Sequence, residues 1–357
     1  MPVALLVAVL VAQPPAVHPA LAPWQKLPTP KAPGKQDDLH FVSPERGWYV
    51  NGSGRVFRTA DGGATWAEVA HKPGTYFRCV GFLDDDRGFA GNIGPDYFPG
   101  VTDPTPLYRT LDGGTTWTPV AIAGDPVKGL CALQVARWPF IHAGELGERL
   151  SLFGGGRVGG PAVLVQSRDG GGTWTATDLG KHAGMVLDVH WFDDRTAVVA
   201  AATDSDVRKS EALVLRTADA GATWQPVYKS GRPFELTWKL SFPTPEVGYC
   251  TVQSYDPDKT KSKRYVAKTL DGGRTWAELP LVDDHKVREF GVGFSDPLTG
   301  WVGAVPGGFG TVDGGKTWAK VDMGPAANKV RVLPTPTGCV AFAVGLEVRK
   351  LVVPAAR

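Results

Sequence analysis

Thr59-Ala-Asp-Gly-Gly-Ala-Thr-Trp66 is the first of six copies of the pattern [ST]-x-D-x-G-x-T-W in this 357-residue chain. The copies, called boxes 1 to 6 below, recur at intervals of 42 to 57 residues. An internal repeat of about 50 residues predicts a repeat architecture rather than a single irregular domain. The box aspartates are Asp61, Asp112, Asp169, Asp219, Asp271 and Asp313, and the box tryptophans are Trp66, Trp117, Trp174, Trp224, Trp276 and Trp318.

The residue types of a box predict a hairpin turn. An aspartate here can accept hydrogen bonds from backbone N–H groups in an Asx-turn, and the glycines tolerate positive φ. The second threonine is β-branched and suits the start of the next strand, while the tryptophan offers a large area for burial. We therefore predict structural roles for the box residues. Catalytic acids or calcium ligands are disfavoured, because an active site needs one constellation and not six.

A second motif precedes the boxes and ends in glycine followed by an aromatic residue. It is clearest at Phe41–Trp48, Phe82–Phe89, Phe242–Tyr249 and Phe294–Trp301. Together with the box it predicts four antiparallel strands in each repeat, which is the blade of a β-propeller.

The number of blades depends on the two chain ends. Residues 325–357 follow the last box and contain three strand-like runs without a box of their own. The stretch Trp24-Gln-Lys-Leu-Pro28 matches Trp276-Ala-Glu-Leu-Pro280, which follows box 5. We therefore predict an all-β, seven-bladed propeller in which a strand from residues 23–36 completes a boxless last blade, anchored by Trp24. Such closure removes exposed sheet edges. The alternative is six blades and a loose carboxyl-terminal hairpin.

The amino-terminal residues predict export. Val3–Ala12 is an apolar run of ten residues, too short to span a bilayer and typical of a secretory signal. Ala20-Leu-Ala22 offers a cleavage site, so we predict a signal peptide over residues 1–22, a propeller over residues 23–357, and a periplasmic or extracellular location. An uncleaved apolar tail is the alternative.

Composition restricts the classes of partner and cofactor that the sequence predicts. Lys and Arg number 38 against 36 Asp and Glu, a net charge of +2, which gives no general attraction to nucleic acid or to an anionic membrane. The four cysteines form no C-x-x-C pair, so a metal site has little support. We expect no cofactor, no membrane span and a monomer.

The boxes resemble the Asp-box, or BNR, repeat of sialidases, xyloglucan-type glycosidases, sortilin-like receptors and the photosystem II assembly/stability factor family. In combination with the glycine-aromatic motif, the chain is most similar to the last of these. That resemblance implies a non-catalytic scaffold that binds a protein partner. The boxes themselves specify a fold and say little about function.

Binding is predicted on the face opposite the boxes. The boxes and the first turns of the blades share one face, so the variable loops at Asn92–Pro106, Glu145–Pro161, Asp204–Glu211 and Tyr255–Arg264 lie on the other. Long loops on a rigid scaffold are common binding sites. Three arginines precede or open first strands and are expected at the channel mouth. The full set of predicted binding residues is Arg78, Arg232, Arg288, Tyr97, Phe98, Tyr255 and Arg264.

An exported glycoside hydrolase of the sialidase kind is the alternative function. Glu235 and Glu289 would then serve as acid and nucleophile. A carbohydrate-binding propeller, in which Tyr97, Phe98 and Tyr255 stack on sugar rings, is the non-catalytic variant of this hypothesis. A third reading is a propeller that serves only as a cell-surface spacer.

Overall fold

The computed structural model of the chain describes residues 18–142 and 145–355 and, apart from residues 140–146, their side chains. Residues 1–17, most of the predicted signal peptide, lie outside the described residues. Within the described part, no helix has the length and hydropathy needed to cross a membrane.

The strands follow one another in groups of four along the chain. A 3₁₀ turn, Pro19–Leu21, and strand β1 (Gln25–Lys26) come first. Blade 1 consists of β2 (Gln36–Phe41), β3 (Gly47–Asn51), β4 (Arg55–Thr59) and β5 (Ala67–His71). Blade 2 consists of β6 (Phe77–Phe82), β7 (Gly88–Asn92), β8 (Leu107–Thr110) and β9 (Thr118–Pro119). Blade 3 contains β10 (Ala123–Gly124), β11 (Ala132–His142), β12 (Glu145–Gly155), β13 (Val163–Ser167) and β14 (Thr175–Asp178).

The remaining blades keep this order. Blade 4 consists of β15 (Met185–Trp191), β16 (Ala197–Ala202), β17 (Ala212–Thr217) and β18 (Gln225–Lys229). Blade 5 consists of β19 (Glu235–Ser241), β20 (Gly248–Ser254), β21 (Arg264–Thr269) and β22 (Ala277–Pro280). Blade 6 consists of β23 (Arg288–Phe294), β24 (Gly300–Val305), β25 (Gly308–Thr311) and β26 (Ala319–Val321). Blade 7 contains β27 (Ala327–Thr335), β28 (Gly338–Gly345) and β29 (Val348–Pro354).

Neighbouring strands within each blade pair antiparallel, apart from β10, which adds a short parallel strand to the edge of blade 3. The first strand of each blade contacts the first strands of the blades on either side, and β27 contacts β2. These seven inner strands therefore enclose a central channel. The predicted all-β, seven-bladed propeller is confirmed.

Each box is a turn closed by its own side chains. In box 1, the N–H and hydroxyl of Thr65 donate to the two carboxylate oxygens of Asp61, at 2.8 and 2.5 Å. The hydroxyl of Thr59 donates to the same carboxylate at 2.8 Å and accepts from the Gly63 N–H at 2.9 Å. These bonds, led by that from the Thr65 hydroxyl, lower the pKa of Asp61 to about 2. The other boxes repeat this arrangement.

The boxes also join neighbouring blades. The Trp48 indole of blade 1 donates at 2.9 Å to the carbonyl of Gly113, the first glycine of box 2. In three other boxes, a lysine or arginine of the preceding blade donates to the equivalent carbonyl. These pairs are Lys350 to Gly62, Arg216 to Gly272 and Lys268 to Gly314. One carbonyl thus links the hairpin turn to the adjoining sheet.

The amino-terminal strand completes blade 7. Gln25 and Lys26 pair with Lys350 and Arg349 of β29, and Leu27 N–H donates to Val348 O at 2.9 Å. The Trp24 ring lies edge-on to Trp301 with centroids 5.6 Å apart. The predicted closure is confirmed, and the six-bladed alternative is wrong.

One predicted loop is a strand. Glu145–Pro161 was expected to connect strands on the loop face, but β12 covers Glu145–Gly155 and pairs with β11 along its whole length. Arg149 therefore lies at the box face, where it binds Asp194 of the first turn of blade 4 at 2.7 Å. The sequence was misleading because polar residues alternate with apolar ones on this hairpin, which extends beyond the usual blade.

Deleting residues 23–30 is expected to lower the melting temperature, because blade 7 then loses its outer strand and the indole that packs on Trp301. Thermal unfolding followed by circular dichroism measures this. Lys26→Ala is the control, since that exposed side chain contributes only a surface ion pair to Glu347 of small energy. A deletion that melts like the full chain would contradict the closure.

Candidate functional site

The inner strands carry bulges where they start. Six of the seven show a register shift near their first residues. A bulge bends a strand and re-aims its side chains. Since the inner strands start at the loop face, the residues at these register shifts lie toward the loop-face end of the channel. They are Asp37, Arg78, Leu187, Trp238–Lys239, Phe290–Gly291 and Asn328.

Arginines and aromatic rings form one cluster at this mouth. The Arg78 guanidinium lies 5.9 Å from the Trp238 ring centroid, and the Arg288 guanidinium lies 5.9 Å from that of Tyr255. Burial raises the pKa of Tyr255, and the proximity of Tyr97 adds to the rise. We call Arg78, Tyr97, Trp238, Tyr255 and Arg288 the mouth cluster. Trp238 was missed in the sequence, although it is a tryptophan outside every box and at the bulge of an inner strand.

The three predicted arginines differ in what they can offer a ligand. Arg78 is partly buried, with its side chain 11% exposed, and is paired with Asp37, which also binds Lys35 at 3.2 Å. Arg288 is exposed and forms no ion pair within the described residues. Its charge is therefore free for a partner.

Arg232 lies away from the mouth cluster, between blades 4 and 5. It donates to Glu235 at 2.7 Å and to Glu278 at 2.6 Å, and it lies over the ring of Tyr265. These contacts neutralise the charge of Arg232, and none of them is with a residue of the channel mouth, where the sequence analysis expected this arginine.

The predicted binding residue Arg264 is a buried link between blades. It donates to the carbonyl of His285 at 2.8 Å and to the hydroxyl of Ser262 at 2.8 Å, and it pairs with Glu289 at 3.3 Å. These contacts hold the loop that precedes β21 against the start of blade 6. The other predicted aromatic, Phe98, stacks on Tyr76 at 4.7 Å and supports the exposed Tyr97.

The two candidate catalytic carboxylates are enclosed. Glu235 is 1% exposed and Glu289 is fully buried. Burial raises the pKa of Glu289 to about 8, against the opposing charge of Arg264. Burial likewise raises the pKa of Glu235, against Arg232. The described arrangement therefore offers neither carboxylate to a sugar in solvent.

Buried ion pairs line the channel below the mouth. Asp38 binds Lys329 at 2.7 Å and Arg331 at 3.0 Å, which joins blades 1 and 7. Burial alone would raise the pKa of Asp38, but the two cations, Arg331 foremost, lower it to about 2. Lys239 and Asp188 form the corresponding link between blades 5 and 4, at 3.6 Å. For Asp188 the sequence signal was a charge inside a largely apolar inner strand.

Two neutral histidines lie nearer the box face. His40 Nδ1 accepts from Phe82 N–H at 3.2 Å, and His190 stacks on Phe242 with centroids 4.6 Å apart. Burial lowers the pKa of both to about 4. Both line a cavity of about 270 Å³. It shares His190 and Arg331 with a cavity of about 860 Å³ that opens on the box face. In the described residues, no group of three or more His, Cys, Asp or Glu could hold a metal ion.

No protein-family profile matches the chain. A xyloglucanase from Paenibacillus sp. is 27% identical over 221 aligned residues, in a match that covers 52% of this chain and 20% of that protein. The chain thus spans about a fifth of that curated relative.

Solved structures give the broader likeness. A structure of YCF48 bound to D1 peptide has a TM-score of 0.62 at 20% identity, covering 96% of this chain and 99% of its own. YCF48 from Cyanidioschyzon merolae has a TM-score of 0.62 at 18% identity, covering 92% and 98%. The GH74 xyloglucanase from Xanthomonas campestris has a TM-score of 0.58 at 15% identity, covering 90% of this chain and 52% of that one.

These similarities are similarities of fold. The chain is a seven-bladed β-propeller. The predicted resemblance to photosystem II assembly factors and xyloglucanases is confirmed at that level.

The buried carboxyl of Glu289 predicts a pH dependence of stability. Its pKa of about 8 in the folded state exceeds the ordinary 4.5, so between these values the folded state holds a proton that the unfolded state releases. The contribution of this carboxyl to the free energy of unfolding therefore falls as pH rises from 5 to 8, by up to about 1.4 kcal/mol per pH unit. His40 and His190, with pKa values of about 4, act in the opposite direction below pH 6.5.

Glu289→Gln should remove this contribution, so the free energy of unfolding of wild type relative to the variant should fall from pH 5 to pH 8, as measured by urea unfolding at pH 5, 6, 7 and 8. Glu246→Gln, in an exposed turn, is the matched control and should keep it. The same slope in wild type and Glu289→Gln would show that the carboxyl is ionised throughout.

Proposed function

We propose that the protein is an exported, non-catalytic propeller that binds an extended segment of a protein partner at the mouth cluster, as a scaffold similar to assembly or stability factors. The observation that carries this proposal is that Arg288, which is exposed and has no ion-pair partner among the described residues, lies 5.9 Å from the ring centroid of Tyr255 at the channel mouth. Arginine and aromatic residues dominate the energetics of protein interfaces.

The scaffold suits such a site. Arg78, Trp238 and Arg288 are carried by inner strands, whose packing fixes them more firmly than loops would. Tyr97 and Tyr255 come from the two loops beside them, and Tyr97 is 38% exposed. An apolar peptide side chain could contact these rings while a neighbouring carboxylate binds Arg288. The free charge of Arg288 would chiefly accelerate encounter with an acidic segment.

Comparison with other propellers supports a peptide as the ligand. YCF48, which shares the fold along nearly its whole length, is seen bound to D1 peptide. Export is supported by the apolar run Val3–Ala12.

A glycoside hydrolase or carbohydrate-binding propeller is the second candidate. The partial sequence similarity to a xyloglucanase favours it. The burial of Glu235 and Glu289 speaks against hydrolysis by this pair, whereas sugar stacking on exposed Tyr97 would need no catalytic carboxylate.

Arg288→Glu should weaken binding of the partner segment by at least tenfold, equivalent to about 1.4 kcal/mol, because it replaces attraction with repulsion. Partners are captured from the native exported fraction, identified by mass spectrometry, and titrated as synthetic segments by calorimetry. Trp238→Ala should also weaken binding by removing the ring beneath Arg78. Lys320→Glu makes the same charge reversal on the outer strand of blade 6 and should bind like wild type. Undiminished binding by both mouth variants would exclude this site.

Purified protein is expected to release no product from sialosides or xyloglucan, because both candidate carboxylates are enclosed. Reducing-sugar and sialic-acid assays measure this. Turnover that disappears in Glu235→Gln or Glu289→Gln, but persists in Glu246→Gln, would favour the hydrolase instead.

A further inference from the structure

Blade 7 has no box, but the amino-terminal residues before β1 supply the backbone carbonyl that a box would supply to the preceding blade. Trp301, the glycine-aromatic residue of blade 6, donates its indole N–H to the carbonyl of Ala20 at 2.7 Å. Trp48, its equivalent in blade 1, donates to the first glycine of box 2. Ala20 therefore occupies the position of the first box glycine.

Sequence spacing agrees with this position. Ala20 precedes Trp24 by four residues, as Gly113 precedes Trp117 in box 2 and as the first glycine precedes the tryptophan in every box with that glycine. The outer strand then starts at once, with β1 following Trp24 as β5 follows Trp66.

Different residues close this turn. Pro19 stands where a box has aspartate, and Pro23 stands where a box has threonine. Instead of a carboxylate, the imidazole of His18 accepts from the Ala20 N–H at 3.2 Å. The backbone closes as a 3₁₀ turn, with Leu21 N–H donating to His18 O at 2.8 Å. Proline fixes φ near the value that a 3₁₀ turn needs. The backbone path therefore differs from that of a box, because both residues of the Gly-Gly pair in box 2 have positive φ and neither Ala20 nor Leu21 does. The two turns share the spacing to the tryptophan and the carbonyl that accepts from the preceding blade.

The turn is part of the core. Ala20 is fully buried and Trp24 is 3% exposed, in one apolar cluster with Trp301. Leu21 packs so closely on β25 that a Cβ on Gly310 would lie 2.7 Å from its Cδ2 atom. Cleavage after Ala22 would leave the Trp301 N–H without its acceptor, and a buried unpaired donor is costly.

We propose that the turn His18–Trp24 takes the place of a seventh box and is retained in the mature protein, an inference that rests on the proposed export only for the fraction in which it is tested. Processing after Ala22, the cleavage site that the sequence predicts, would remove most of this turn. Retention also keeps His18 and Pro19 in the wall of the large box-face cavity.

The direct test is the amino terminus of the protein recovered from its native exported fraction, read by intact mass and peptide sequencing. A chain that starts at or before His18, the unprocessed chain included, supports the proposal. A chain that starts at any residue from Pro19 to Pro23 overturns it.

Variants of the full chain test the structural part separately. Ala20→Glu places a charge in the apolar cluster, and Trp301→Phe removes the donor while keeping an aromatic ring. Both should lower the melting temperature, and Ala20→Glu should shift tryptophan emission to longer wavelength. Pro23→Glu, at an exposed position of the same turn, is the matched control and should change neither. Melting temperatures equal to wild type for both Ala20→Glu and Trp301→Phe would show that the turn is not part of the propeller.

Discussion

The hydrogen bond to the carbonyl of the first box glycine is the contact on which the ring depends. The same short turn is closed from within by aspartate and threonine and held from outside by an indole or cation of the preceding blade. A buried backbone carbonyl needs a donor, and in boxes 1, 2, 5 and 6 this donor comes from the preceding blade. The turn therefore sets both the strand order within a blade and the spacing between blades. The Ala20 carbonyl extends the pattern to the junction of blades 6 and 7.

The two ends of the channel differ because the inner strands are not regular. Toward the box face they are straight, and side chains such as His40 leave open space between them. Toward the loop face, bulges turn Arg78 and Trp238 into the mouth. Buried ion pairs such as Asp38–Lys329 lie between the two ends and fix neighbouring inner strands. Such pairs specify register more than they add stability.

Two of the three arginines that the sequence predicts for the channel mouth are neutralised within the protein. Asp37 takes the charge of Arg78, and two glutamates take that of Arg232. This leaves Arg288 as the exposed cation of the mouth cluster, beside the ring of Tyr255. The same enclosure separates Glu235 and Glu289 from substrates, so similarity to a xyloglucanase does not by itself imply its chemistry.

The sequence by itself determined the fold, because six boxes encode the same local turn through residues only a few positions apart, and the match of Trp24 to Trp276 located the closing strand. It also supplied Arg288, Tyr97 and Tyr255 as site candidates, since residues on long loops or at strand starts tend to reach the surface. Tertiary structure decided the rest. The bulge that presents Trp238, the burial of Arg264, the pairing of Arg232 and the extra length of β12 all depend on neighbours in other blades. The turn that takes the place of a seventh box could not be recognised in the sequence for the same reason. The carbonyl of Ala20 accepts the hydrogen bond from Trp301 and its methyl group is buried, and neither feature has a sequence signature.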